Sequence, residues 1–203
     1  MLVFSNNCCG GRLYQKTNTI FNNPFIWMVC PYDSIVYTMN DLCSINWMKF
    51  SLKPSSLRAN TFILTVDDKI ELHYIHYKFD PTAIHITQES KFDTEEQWTG
   101  DVYYNKIWEF VVNKYVSRVK RMTQVNELPC FLIRDESYGN TGSVNTIKDI
   151  AYNDSIYKRI IITKDMSVNR NDEICKTIHP SDIEMPEPTV RRYLNTIKDF
   201  FNI

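Results

Sequence analysis

The chain has 203 residues, 43% of them apolar and 23% charged, with 23 basic against 24 acidic side chains and a net charge of −1. That length and balance fit one large domain or two small ones, with a sizeable hydrophobic core. They exclude the bulk electrostatics that draw a protein to nucleic acid or to an anionic membrane surface.

The first element is a strand over residues 1–4, where Leu2-Val3-Phe4 form a short apolar run. Ser5-Asn6-Asn7-Cys8-Cys9-Gly10-Gly11 follows as a polar turn, and a short helix is expected over 10–17. Asn22-Asn23-Pro24 is a turn, and Phe25 to Val29 is a dense apolar run suited to the core. Pro31 suits a first helical turn, and Asp33 or Ser34 suits its cap. Ile35, Val36, Met39, Leu42 and Cys43 then recur at helical spacing.

Residues 61–66 and 70–77 read as two strands joined by the Asp67-Asp68-Lys69 turn, a hairpin. The stretch from about 79 to 100 is polar, with Pro81 and Gly100 as breakers, and reads as a loop insertion. The helix expected over 102–122 carries Ile107, Trp108, Val111, Tyr115, Val119 and Met122 on its apolar face. Lys114, Arg118, Lys120 and Arg121 gather toward its end, where cations complement the helix dipole.

Cys130 to Arg134 is a buried strand, followed by a turn over 138–143 and a helix over 144–151. Arg159 to Thr163 is a strand of continuous apolar character, as in a sheet covered on both faces. Residues 165–188 read mostly as loop, and Thr189 as the cap of a last helix with Val190, Tyr193, Leu194, Ile197 and Phe201 as its stripe. Alternating strands and helices in the second half predict a single α/β domain over 1–203, with a mixed sheet flanked by helices.

Six cysteines stand at 8, 9, 30, 43, 130 and 175, with no C-x-x-C pair and no zinc-site spacing. No secretory leader and no span-length apolar run is expected, which suits free thiols in a cytoplasmic protein. A cysteine where a strand ends and a helix begins is favoured as thiolate, because the helix N-terminus carries partial positive charge. Cys8 and Cys9 both meet that description, against the bland alternative of cysteine as core filler. Gly10 and Gly11 would let the backbone turn tightly beside a substrate.

Ile70 to Tyr77 holds two of the four histidines. Side chains alternate along a strand, so His73 shares a face with Glu71 and Ile75, and His76 with Leu72 and Tyr74. The two cannot readily ligate one metal, and either can serve as a base while the other is structural.

These segments together resemble a family whose members open with Ser-Asn-Asn-Cys-Trp-Gly-Gly after a strand and later carry a His-x-x-His-Tyr-Lys strand. Here the matching residues are Ser5 to Gly11, Asn23-Pro24-Phe25, His73 to Lys78, the basic helix Tyr115 to Arg121, and the strands at 130–134 and 159–163. Cys9 stands where the family has Trp, and the stretch 79–100 is longer than the family's. The family is described as exopolysaccharide-biosynthesis proteins and is similar to papain-like cysteine peptidases. The resemblance implies an α/β protein with a Cys–His pair, Cys8 at the position of the family's cysteine.

The chemistry expected is acyl transfer, or amide or ester hydrolysis, with Cys8 as nucleophile and His76 or His73 as general base. Asp80 or Asn7 would orient the imidazole, and the side chain of Asn6 or Asn7, or the backbone at Cys8, Cys9 and Gly10, would line the substrate and its oxyanion. The partner would be a small-molecule or glycan-linked substrate, with no cofactor and no metal. An alternative is a glycosyltransferase-like protein in which Arg118 and Arg121 clamp a sugar nucleotide and tryptophans stack on sugar rings. No Asp-x-Asp motif or phosphate-loop template accompanies it. A third reading is a non-catalytic sugar-binding or interaction protein.

Overall fold

The computed structural model describes residues 1–54, 62–74, 100–135, 143–181 and 186–203. Its elements are β1 (Val3–Ser5), α1 (Cys9–Lys16), α2 (Tyr32–Asp41), β2 (Phe50–Pro54), β3 (Phe62–Val66) and β4 (Ile70–Tyr74). They continue with α3 (Gly100–Met122), β5 (Cys130–Arg134), α4 (Ile147–Ala151), β6 (Arg159–Ile162), β7 (Cys175–Ile178) and α5 (Pro186–Phe201).

The α/β class holds, with the strands divided between two sheets. β1, β5, β6 and β7 form an all-parallel sheet in that order, and β2, β3 and β4 form an antiparallel one. Both faces of the parallel sheet are covered, which explains the unbroken apolar runs of β5 and β6. Val3, Leu132, Ile160 and Ile162 point to one face and pack with α1 and α5 through Leu13, Tyr14, Val190, Ile197 and Phe201. Phe4, Phe131, Ile133 and Ile161 point to the other and join the apolar sides of α2, α3, α4 and the antiparallel sheet. Phe4 anchors this second core, stacked on Phe25 at 4.7 Å and edge-on to Phe131 at 5.4 Å.

The expected β3–β4 hairpin forms, with Val66 opposite Ile70 and Phe62 opposite Tyr74. Two strands depart from the sequence reading. β2 precedes the hairpin, and β7 lies inside the stretch read as loop, pairing Ile161 with Thr177 and Ile162 with Ile178. The last helix begins at Pro186, so Thr189 is a buried helical residue and not its cap. Proline at the first helical position loses no bond, since that N–H has no partner within the helix. The part of the loop insertion over 79–99 lies outside the described residues, and Gly100 opens α3. Among the described residues no helix is long and apolar enough to cross a membrane.

Candidate functional site

The carboxyl ends of β1, β5, β6 and β7 share one edge of the parallel sheet, the edge at which ligands bind in open α/β sheets. β1 ends at Ser5, and the Asn6 side chain then takes over its ladder. Asn6 Nδ2 donates to the Arg134 carbonyl at 2.8 Å, and its Oδ1 accepts the Arg134 N–H at 3.0 Å. Asn7 Oδ1 accepts the N–H of Cys9 at 2.9 Å, which caps α1 from one residue outside it. Asn7 Nδ2 is buried and has no hydrogen-bond partner. Of the two asparagines, then, Asn6 is spent on the fold and Asn7 keeps a donor.

Cys8 is the N-cap of α1 and retains 7% exposure, whereas Cys9 is fully buried. The helix start is pressed onto its surroundings at the two glycines. A Cβ on Gly10 would come within 2.8 Å of Ser5 Cβ, and one on Gly11 within 2.6 Å of the Trp27 indole. Gly10 therefore serves close packing of helix on strand. Trp27 itself has φ of 64°, a left-handed conformation that is costly for a bulky residue and is held only where the surroundings over-determine it. Those surroundings are Gly11, the Arg12 guanidinium 5.0 Å above the ring, and Phe21 edge-on at 6.3 Å.

Two cations act on the thiols. Burial pushes Cys8 up from the usual 9.0 to about 11, against the opposing pull of Arg12 and Arg134. Cys9 is pushed up to about 12 by burial, with Arg134 opposing. The helix-start argument alone predicts the opposite direction, and desolvation outweighs it because the thiolate has lost most of its water. Iodoacetamide labelling of Cys8 in the folded protein is accordingly expected to rise through a midpoint near pH 11; a midpoint below the ordinary thiol value of about 8.5 would contradict it. The same shifts bear on stability. Both folded pKa values lie above the unfolded one, so the contribution is complete below pH 9 and is lost as pH rises through 11 to 12.

His73 lies on the same face as Glu71, as alternation predicts, with Nε2 3.2 Å from its carboxylate. Burial lowers its pKa, with Glu71 opposing. Its main chain forms a bridge with Val29 (2.8 and 3.1 Å), and the adjoining Cys30 N–H donates to the Asn6 carbonyl at 2.9 Å. The β4 end is thereby tied to the turn that bears Cys8. His76 and Asp80 lie outside the described residues.

Arg118 and Arg121 hold a neighbouring segment in place. Arg118 Nη1 donates to the Ile26 carbonyl at 2.9 Å and Arg121 Nε to that of Phe21 at 2.7 Å. They brace the chain leading into the strained Trp27, and Trp47 packs partly buried against the core.

The edge also holds groups that the sequence reading passed over. Arg134 was legible only as a strand end. Asp135, read as a turn residue, accepts the Tyr32 hydroxyl at 2.9 Å and the Thr163 hydroxyl at 2.7 Å. His179 Nδ1 donates to the Thr163 carbonyl at 3.0 Å, and its Nε2 is buried without a partner. A cavity of about 730 Å³ lined by Leu2, Thr17, Cys130 and Phe201 lies at the opposite, amino end of β1 and β5. Among the described residues no three His, Cys, Asp or Glu side chains are grouped to hold a metal ion. No family model and no curated protein matches the chain.

Proposed function

We propose that the protein performs acyl transfer, or amide or ester hydrolysis, through Cys8 on a glycan-linked substrate of surface-polysaccharide assembly. The observation that carries this reading is Cys8 at the start of α1, at the carboxyl end of β1, with the charges of Arg12 and Arg134 acting on its sulfur. The family resemblance of the Ser5 to Gly11 and His73 to Lys78 segments supports the pathway.

The raised pKa sets the mechanism. A thiol that is protonated at neutral pH must lose its proton as it attacks, so the reaction needs a general base at the sulfur. His73 and His76 are the two candidates, and burial favours the neutral, proton-accepting ring of His73. One observation favours a second reading, a non-catalytic sugar-binding protein: burial keeps both thiols protonated at rest.

Incubation with p-nitrophenyl acetate and mapping of the acetylated residue tests both. Acetylation is expected at Cys8, followed by hydrolysis, and Cys8→Ala is expected to lower turnover by about 10³-fold or more. Of His73→Asn and His76→Asn, the one that removes the base lowers turnover by about 10²–10⁴. Turnover retained in Cys8→Ala, or acetylation spread over Cys43 and other ordinary thiols, would overturn the catalytic reading.

A further inference from the structure

The polar group left unspent at the Cys8 turn is the side-chain amide of Asn7. Asn7 is 2% exposed, and its Oδ1 holds the N–H of Cys9, the first residue of α1. The amide therefore stands at the mouth of the helix, and its Nδ2 donor is buried with nothing to accept from it. A buried donor in that state is destabilising and marks a place where an acceptor belongs. The rest of the surroundings ask for the same kind of acceptor. α1 has no acidic side chain in its first turn, so its positive end is uncompensated from within. Arg134 is 5% exposed and lies two residues beyond Leu132, on the face of β5 that packs against α1. Arg12, one turn into α1, adds a second guanidinium charge, partly offset by the Glu187 carboxylate at 3.7 Å.

We propose that the first turn of α1, Asn7 Nδ2 and Arg134 bind a phosphate group, and that the ligand of this edge is a phosphorylated sugar. Two guanidinium charges and a helix end match a dianion better than a single carboxylate, and the oxygens of a phosphate can accept from amide and guanidinium at once. This names the substrate class for the Cys8 reading; the phosphate stands on the geometry alone, and the sugar and the chemistry that follows binding rest on that reading.

Asn7→Asp is the decisive variant. An aspartate keeps the oxygen that caps Cys9, and asparagine and aspartate cap about equally well, so the fold is expected to persist. It exchanges the spare donor for a negative charge. Inorganic phosphate and glucose 1-phosphate are titrated against wild type and Asn7→Asp, read by melting temperature and by protection of Cys8 from iodoacetamide. Both ligands are expected to protect Cys8 saturably and raise the melting temperature in wild type, glucose 1-phosphate at the lower concentration. Asn7→Asp is expected to melt no lower unliganded and to bind both about tenfold more weakly or worse. Absence of saturable protection in wild type, or equal binding by Asn7→Asp, overturns the proposal. Cys8→Ala is expected to keep the phosphate-dependent melting shift, so inactive acyl chemistry beside intact phosphate binding would sink the catalytic reading alone.

Discussion

Arg159→Ala is expected to cost about 3–5 kcal/mol of folding stability, read from urea denaturation midpoints. Arg159 opens β6, in the middle of the parallel sheet, and is fully buried. Its guanidinium fans out over the main chain that connects α4 to β6. Nη1 donates to the carbonyls of Ser155 at 3.3 Å and Tyr157 at 3.2 Å, while Nε and Nη2 reach Ala151 at 3.4 and 3.3 Å. Nη2 also donates to the Asn153 carbonyl. These are the carbonyls at and beyond the end of α4, which have no partner within the helix. Arg170 also reaches Ala151 and Asn153, at 3.0 and 3.4 Å, so alanine deprives Ser155 and Tyr157 most severely and leaves a void besides. Against a total stability of about 5–15 kcal/mol for a domain, the loss is large. Arg159→Met keeps the stem and removes the donors, and is expected to recover less than half of it. A loss below about 1 kcal/mol in Arg159→Ala would show that the loop carbonyls find water instead.

Nothing in the sequence sets Arg159 apart from the solvated charge that usually precedes a strand. The same holds for Arg118 and Arg121, which look like the exposed end of a basic helix. Their partners are carbonyls 92 and 100 residues away in the chain, and no local period encodes such a contact. What was legible was periodic. The apolar face of α3 from Val111 to Met122, the runs of β5 and β6, and the β3–β4 hairpin declare themselves because one or both of their faces are buried. β7 did not, since Lys176 and Thr177 interrupt it and it lies at the edge of its sheet. β2 is likewise an edge strand and ends in Pro54, which reads as a breaker.

The candidate site divides along the same line. Ser5 to Gly11 announces a strand, a turn and a helix start, and those form as read. The sign of the thiol shift was not legible, because it depends on how much of the sphere around Cys8 is filled by α5, Trp27 and the sheet. The helix end and the arginines favour the thiolate, yet their effect is smaller than the loss of solvation. Nor does the sequence distinguish Asn6 from Asn7, two identical side chains in adjacent positions.

That pair gives the last prediction, because the fold uses them in opposite ways. Asn6→Ala is expected to cost about 2–4 kcal/mol, since it leaves both the N–H and the carbonyl of Arg134 buried without their partner. β1 has only three residues, and the Asn6 amide is what extends its grip on β5 by one more rung. Loosening that rung frees the turn that follows, so Cys8 is expected to label faster at neutral pH in Asn6→Ala, its thiol regaining water. Asn6→Asp retains the acceptor for the Arg134 N–H but sets a carboxylate against its carbonyl, and is expected to be no better than alanine. Asn7→Asp, one residue on, keeps its cap and is expected to be tolerated. If Asn6→Ala and Asn7→Asp lost stability equally, the division of labour between the two amides would be wrong, and with it the claim that Asn7 is held in reserve for a ligand.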